Sequence, residues 1–187
     1  MDKIGTQNPD ELWIGTEKFV PYITEEQIQK RVAELGKEIS HDYKAKLPIF
    51  IGVLNGSFMF MADLMKHITI NCEVDFFKLS SYGEAKISSG KVKLVKDLNA
   101  DITDRHLIIV EDIVDTGLSI KYIEKLIEEH KPASMKVVSL LVKEDSIKYD
   151  VKIDYIGFRI QNKFVIGYGL DYAQKYRNLK SIYVLSE

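Results

Sequence analysis

A single cysteine, Cys72, in 187 residues rules out an internal disulfide and fits a reducing cytoplasm. Its neighbours Asn71 and Glu73 give no sign of an activated thiol, so it reads as a structural residue. Charge of one sign is lacking too. Lys and Arg number 26 against 28 Asp and Glu, a net charge of −2 that argues against a nucleic-acid partner. No apolar run approaches the ~20 residues of a membrane span, and Met1-Asp2-Lys3-Ile4-Gly5 lacks a signal peptide's apolar stretch. The four histidines, His41, His67, His106 and His130, do not pair at metal-ligand spacing and read as surface or helix-end residues. Repeats, low-complexity tracts and domain linkers are missing. What is left is one soluble, intracellular α/β domain over residues 1–187, with an ordinary hydrophobic content of 45 %.

What is present is strand, glycine turn and helix, twice. Leu107-Ile108-Ile109-Val110 is a β-branched run that reads as a strand buried on both faces, with Glu111 and Asp112 where it should end. Asp115-Thr116-Gly117-Leu118-Ser119 follows, then an amphipathic helix over 120–130. A glycine flanked by hydroxyls at a helix start is a phosphate-site layout, because free N–H groups there favour an anion. Carboxylates next to such a site make sense if they hold Mg²⁺, directly or through water, or accept from sugar hydroxyls. Asp112 or Asp115 serving only as a helix cap is the plainer reading, worth about 1 kcal/mol. One cap needs one side chain, and three carboxylates, two hydroxyls and a glycine lie within residues 111–119. Upstream, Ile49-Phe50-Ile51-Gly52-Val53-Leu54 is a second buried strand, Asn55-Gly56-Ser57 a tight turn and 58–65 an apolar helix.

Other elements are read from periodicity. A short strand at 18–20 precedes Pro21. Thr24-Glu25-Glu26-Gln27 is a capping box, and Ile28, Val32, Leu35 and Ile39 carry the helix behind it to about Tyr43. Strands are expected at 74–79, 136–142, 151–156, 164–166 and 181–185. Trp13 is expected to pack in the core or at an interface. The long stretch 80–105 reads as a lid, with Val92-Lys93-Leu94-Val95 folding back as a short ribbon. Alternating strands and helices predict a parallel sheet with its sites at the strands' carboxyl ends.

Val110-Glu111-Asp112-Ile113-Val114-Asp115-Thr116-Gly117-Leu118-Ser119 resembles the phosphoribosyl-pyrophosphate (PRPP) motif of type I phosphoribosyltransferases, specifically its hypoxanthine-guanine version. The resemblance implies a parallel twisted sheet flanked by helices, a small hood from about 1–23 and 150–187, and a mobile lid carrying Ser81-Tyr82-Gly83. It implies that residues 111–119 bind PRPP and its 5′-phosphate, and that Leu54, Asn55, Gly56 and Arg177 bind pyrophosphate. Asn55 stands where many members carry lysine, which removes a cation from that site. Lys143, at the end of Leu140-Leu141-Val142, is similar to the lysine that bonds a purine's 6-oxo group. The segment 163–172 is similar to the family's base clamp: Phe164 stacks on the purine, the Val165 backbone reads its edge, and Asp171 ligates Mg²⁺, with Glu111 and Asp112 holding ribose hydroxyls and the metal or its waters.

The implied reaction transfers the phosphoribosyl group to N9 of hypoxanthine or guanine, with Asp115 as the base. A homodimer or homotetramer and a cytoplasmic location are further implications. Two other readings share the fold: a xanthine-preferring enzyme, and a non-catalytic regulator that senses PRPP. The regulator would have no use for Lys143, Phe164 and Asp171 together.

Overall fold

The computed structural model describes residues 10–81, 92–96 and 98–186. Its larger sheet holds β3 (Ile49–Leu54), β4 (Glu73–Ser81), β5 (Val92–Lys96), β6 (His106–Val114), β7 (Ser134–Val142) and β8 (Tyr155–Arg159). The strand order is β5-β4-β3-β6-β7-β8, all parallel except β5, which runs antiparallel along β4. Helices α1 (Glu25–Asp42) and α2 (Phe58–Met65) cover one face, and α3 (Leu118–Glu128) covers the other. Side-chain alternation along a strand builds both cores at once. Ile108 and Val110 join Ile28, Val32, Leu35 and Ile39 of α1, while Leu107 and Ile109 join Ile120, Ile123 and Ile127 of α3.

The capping box at the start of α1 is formed as its sequence predicts, with Gln27 N–H donating to Thr24 Oγ1 and Thr24 N–H to Gln27 Oε1. Strand β3 and helix α2 match their expected bounds to the residue. A second, antiparallel sheet holds β1 (Leu12–Ile14), β2 (Glu17–Ile23), β9 (Val165–Ile166) and β10 (Ile182–Leu185), in the order β1-β2-β10-β9. Pro21 lies inside β2, opposite Tyr183 where the register shifts, and an irregular pairing can spare the N–H that proline lacks. Among the described residues no helix is long and apolar enough to cross a membrane.

Several expectations are corrected. Strand β6 does not stop at Val110 but runs through the acidic pair to Val114, because pairing with β7 continues from Glu111↔Ser139 to Val114↔Val142. The strand expected at 151–156 begins only at Tyr155. Ahead of it the chain is tied to the turn after β6: the Lys148 and Tyr149 N–H groups donate to the Thr116 carbonyl at 3.0 and 3.3 Å, and Val151 lies against Gly117. Since β8 belongs to the large sheet, the hood segment expected from 150 divides, and only β9 and β10 join the small sheet. The stretch expected as a lid, 80–105, is tied down at its far end. Asp75 on β4 accepts from the Asn99 and Ala100 N–H groups at 2.6 and 3.0 Å and pairs with Lys96 at 3.2 Å, and Ile102 is buried, so 98–105 is anchored. Tyr82 and Gly83 lie outside the described residues. Trp13 packs in no core: it is 51 % exposed, with the Lys18 ammonium over its ring.

Candidate active site

In an open parallel sheet, a crevice opens at the strands' carboxyl ends where the chain reverses its direction of winding. Here that point lies between β3 and β6: the chain moves outward from β3 to β4, then returns to the other side of β3 as β6. The two glycine turns expected to bind phosphate groups therefore sit side by side.

The first turn follows β3. A Cβ on Gly56 would collide with the Asp112 carboxylate, and a Cβ on Gly169 would collide with the Gly56 carbonyl. Glycine is needed at both positions for close approach. Leu54 and Asn55 precede Gly56, and the peptide between them is cis. The Ser57 hydroxyl is turned inward, donating to the Val53 carbonyl at 2.7 Å.

The second turn follows β6. Gly117 holds φ +84° at the N-cap of α3, a conformation that favours glycine, and Leu118 N–H donates to Thr116 Oγ1 at 3.3 Å. Glu111, Ile113, Val114, Asp115, Thr116, Gly117, Leu118 and Ser119 line a hollow of about 80 Å³ there. The residues beyond β7, 148–151, brace the turn from outside: Thr116 O accepts the Lys148 and Tyr149 N–H groups, and Val151 Cγ2 is placed 2.9 Å from where a Gly117 Cβ would lie. Nothing in the sequence of that segment had suggested this role.

Running β6 through the acidic pair separates its members. Adjacent strand residues point to opposite faces, so Glu111 faces the α3-side hollow and Asp112 faces Gly56. Burial, with Asp112 adding repulsion, drives the Glu111 carboxyl well above its ordinary range, and its Oε2 has no hydrogen-bond partner among the described residues. Burial and the charge of Asp171 push the Asp112 carboxyl up to about 6, against the opposing pull of backbone N–H groups and Arg177.

A second, larger cleft of about 520 Å³ joins Asp112, Ile113, Asp115, Lys143, Phe164, Val165, Leu170 and Asp171. Lys143 is buried and its Nζ lies 3.1 Å from Asp115 Oδ2. Phe164 is 46 % exposed, steadied edge-on by Phe19 and Tyr172. Arg177 does not stand free: its Nη2 lies 2.7 Å from Asp171 Oδ1, and its Nη1 donates to the Gly169 carbonyl at 2.8 Å.

Among the described residues no group of three or more His, Cys, Asp or Glu side chains converges to hold a metal ion. Glu111, Asp112 and Asp171 therefore do not form a ready-made cage. Asp112 and Asp171 fit a Mg²⁺ ion that takes one or two carboxylates and completes its shell with substrate oxygens and water, since mutual repulsion is what a cation would relieve.

A phosphoribosyl transferase domain model matches residues 23–173. Over 163 residues the chain is 49 % identical to the hypoxanthine-guanine phosphoribosyltransferase of Bacillus subtilis, an alignment spanning 87 % of this chain and 91 % of that relative. It is 44 % identical over 163 residues to the bifunctional protein TilS/HprT of Listeria monocytogenes, where the match spans 87 % of this chain and only 25 % of the larger protein. A crystal structure of a Bacillus anthracis hypoxanthine-guanine phosphoribosyltransferase superposes with a TM-score of 0.84 at 42 % identity, covering 89 % of this chain and 98 % of that one.

Proposed function

This chain belongs to the phosphoribosyl transferase domain family, and from that premise we propose that it is a hypoxanthine-guanine phosphoribosyltransferase of purine salvage. It would move the 5-phosphoribosyl group of PRPP to N9 of hypoxanthine or guanine, giving IMP or GMP and pyrophosphate. The observation that carries this reading is the cleft that gathers Asp115, Lys143, Phe164 and Asp171 from separate segments beside both glycine turns.

In this reading the 5′-phosphate sits in the hollow at residues 116–119, where backbone N–H groups at the start of α3 point at it. Pyrophosphate lies on the Leu54-Asn55-Gly56 turn, with Arg177 reaching it from its place beside Asp171. Glu111 and Asp112 accept from the ribose hydroxyls. Phe164 stacks on the purine, Lys143 donates to its 6-oxo oxygen, and the Val165 backbone reads its edge. N9 attacks C1′ as the bond from C1′ to the pyrophosphate oxygen breaks. Asp115 takes the proton from N7, keeping the ring electron-rich while N9 bonds. Mg²⁺ held by Asp112 and Asp171 would offset the charge developing on the leaving pyrophosphate.

The base cleft favours a transferase over a PRPP sensor, which needs no purine clamp. The lone cysteine supports a cytoplasmic setting, and the family resemblance supports a homodimer or homotetramer, which sedimentation velocity would check. The direct test is incubation with PRPP, Mg²⁺ and hypoxanthine, guanine, xanthine or adenine in turn, following nucleotide formation. Lysine donates but cannot accept, so it meets only donors at adenine's amino group. Adenine should fall below hypoxanthine in kcat/KM by a factor of about 10³ or more. Comparable turnover of adenine would remove Lys143 from the base pocket, and preferred turnover of xanthine would shift the assignment to the xanthine enzyme.

A further inference from the structure

The base-clamp loop crosses three consecutive residues with left-handed backbone: Gly167 at φ +93°, Tyr168 at +50° and Gly169 at +96°. Glycine adopts this readily and tyrosine does not, so something must hold residue 168 there. Its ring is buried, and its hydroxyl donates to Asp63 Oδ2 on α2 at 2.7 Å. Asp63 is the meeting point of three elements. It also accepts from Gln29 Nε2 of α1 at 2.6 Å and pairs with Lys66 at 2.6 Å. Burial pushes the Asp63 carboxyl up, but these partners outweigh it and hold it below its ordinary range.

The same loop meets the turn that leads into α2, because Gly169 lies against the Gly56 carbonyl. One short loop thus contacts both α2 and the turn ahead of it, and its next residues are Leu170 and Asp171. Arg177 closes the arrangement, bonding both the Gly169 carbonyl and Asp171.

We propose that Tyr168 and Asp63 form a positioning strut, whose hydrogen bond sets the separation between the Gly56 turn and Asp171 and so the grip on the pyrophosphate half of the substrate. Neither residue touches the reacting atoms. The inference rests on the phosphoribosyltransferase reading for its substrate, but its geometry stands without it.

The molecule contains its own control. Tyr155, also buried, donates to Asp42 Oδ2 at 2.6 Å, at the start of β8 and remote from both turns. Tyr168→Phe and Tyr155→Phe each remove one hydroxyl from a bond to a carboxylate, so both should lower the melting temperature. Only Tyr168→Phe should raise KM for PRPP, by about tenfold, the scale of one charge-assisted hydrogen bond, with KM for hypoxanthine unchanged. Asp63→Asn, which keeps an acceptor oxygen, should fall between wild type and Asp63→Ala. The double variant Tyr168→Phe/Asp63→Ala should be no worse than Asp63→Ala alone.

Two readouts need no turnover: calorimetric affinity for pyrophosphate with Mg²⁺, and amide exchange at residues 167–171 of the free protein. Affinity should weaken and exchange quicken in Tyr168→Phe, with neither changing in Tyr155→Phe. Equal effects in the two variants, or unchanged PRPP and pyrophosphate binding in Tyr168→Phe, would overturn the strut. A wild-type protein that binds pyrophosphate but turns over no 6-oxopurine would overturn the assigned reaction and leave the strut judged by binding and exchange.

Discussion

The turn after β3 and the turn after β6 begin from the same local pattern, yet the tertiary structure surrounds them differently. The first is crowded by acid, with Asp112 against Gly56 and Asp171 just beyond Gly169. The second also has Glu111 and Asp115 in the lining of its hollow, but backbone N–H groups hold the turn itself: Leu118 N–H donates to Thr116 Oγ1 inside it, and the Lys148 and Tyr149 N–H groups brace it outside. Carboxylates repel an anion unless a cation lies between, whereas free N–H groups at a helix start attract one directly. A diphosphate carried with Mg²⁺ suits the first turn, and a bare phosphate monoester the second. Strand pairing makes the difference, because β6 directs Glu111 and Asp112 to opposite faces.

Asp115 lines both the hollow at the second turn and the larger cleft, and its substitution should have the largest effect. Asp115→Asn should lower kcat by a factor of about 10² or more while leaving PRPP affinity close to wild type, as for loss of a general base. Near-normal kcat in the folded variant would take Asp115 out of the chemistry and make it part of the second turn. Its ion pair with Lys143, at 3.1 Å, is the contact to watch in the variant's structure.

A matched pair of alanine substitutions separates the turns themselves. Gly56→Ala should displace the Asp112 carboxylate and weaken pyrophosphate binding by about tenfold or more, the cost of losing one charge-assisted contact. Gly117→Ala forces φ +84° on a residue with a Cβ, costing roughly 1–2 kcal/mol of stability, and should weaken ribose 5-phosphate more than pyrophosphate. If both substitutions weakened the two ligands alike, the division of labour would be wrong.

The smallest effect is a pH dependence of stability. The Asp112 carboxyl is raised from 3.8 to about 6 in the folded protein. The folded state therefore holds the proton more tightly than the unfolded one. Stability falls as pH rises from about 4 towards 6, and the loss is complete above that. Asp112→Asn removes the buried charge, so it should melt about 5 °C higher at pH 8 and gain little at pH 4. It should lose affinity for pyrophosphate with Mg²⁺ at the same time. An unchanged melting temperature at pH 8 would mean that the first turn bears its acid at no cost.

Much of the site was legible locally. The segments 49–54, 55–57 and 58–65 have the bounds their β-branched run, Asn-Gly turn and apolar helix predict. Glycine between hydroxyls at 116–119 marks the second turn for the same reason. Glu111 and Asp112 were misplaced because carboxylates are poor strand formers, and pairing with Ser139 and its neighbours on β7 overrides that preference. Asp75, which ties down 98–100, and Tyr168, which reaches Asp63, carry no local mark at all.

By itself the sequence determined which short units form, since alternation, capping and turn chemistry depend on residues a few positions apart. It also marked both glycine turns as candidate phosphate sites and, by resemblance, the family. Only the tertiary structure decided that Glu111 and Asp112 part company, that Asp112 and Asp171 line one cleft, and that Arg177 is held by Asp171. Those outcomes depend on strand pairing and on contacts between segments as distant as α2 and the base-clamp loop, 105 residues apart at Asp63 and Tyr168. No nearest-neighbour preference encodes such a meeting; packing the two faces of one sheet imposes it.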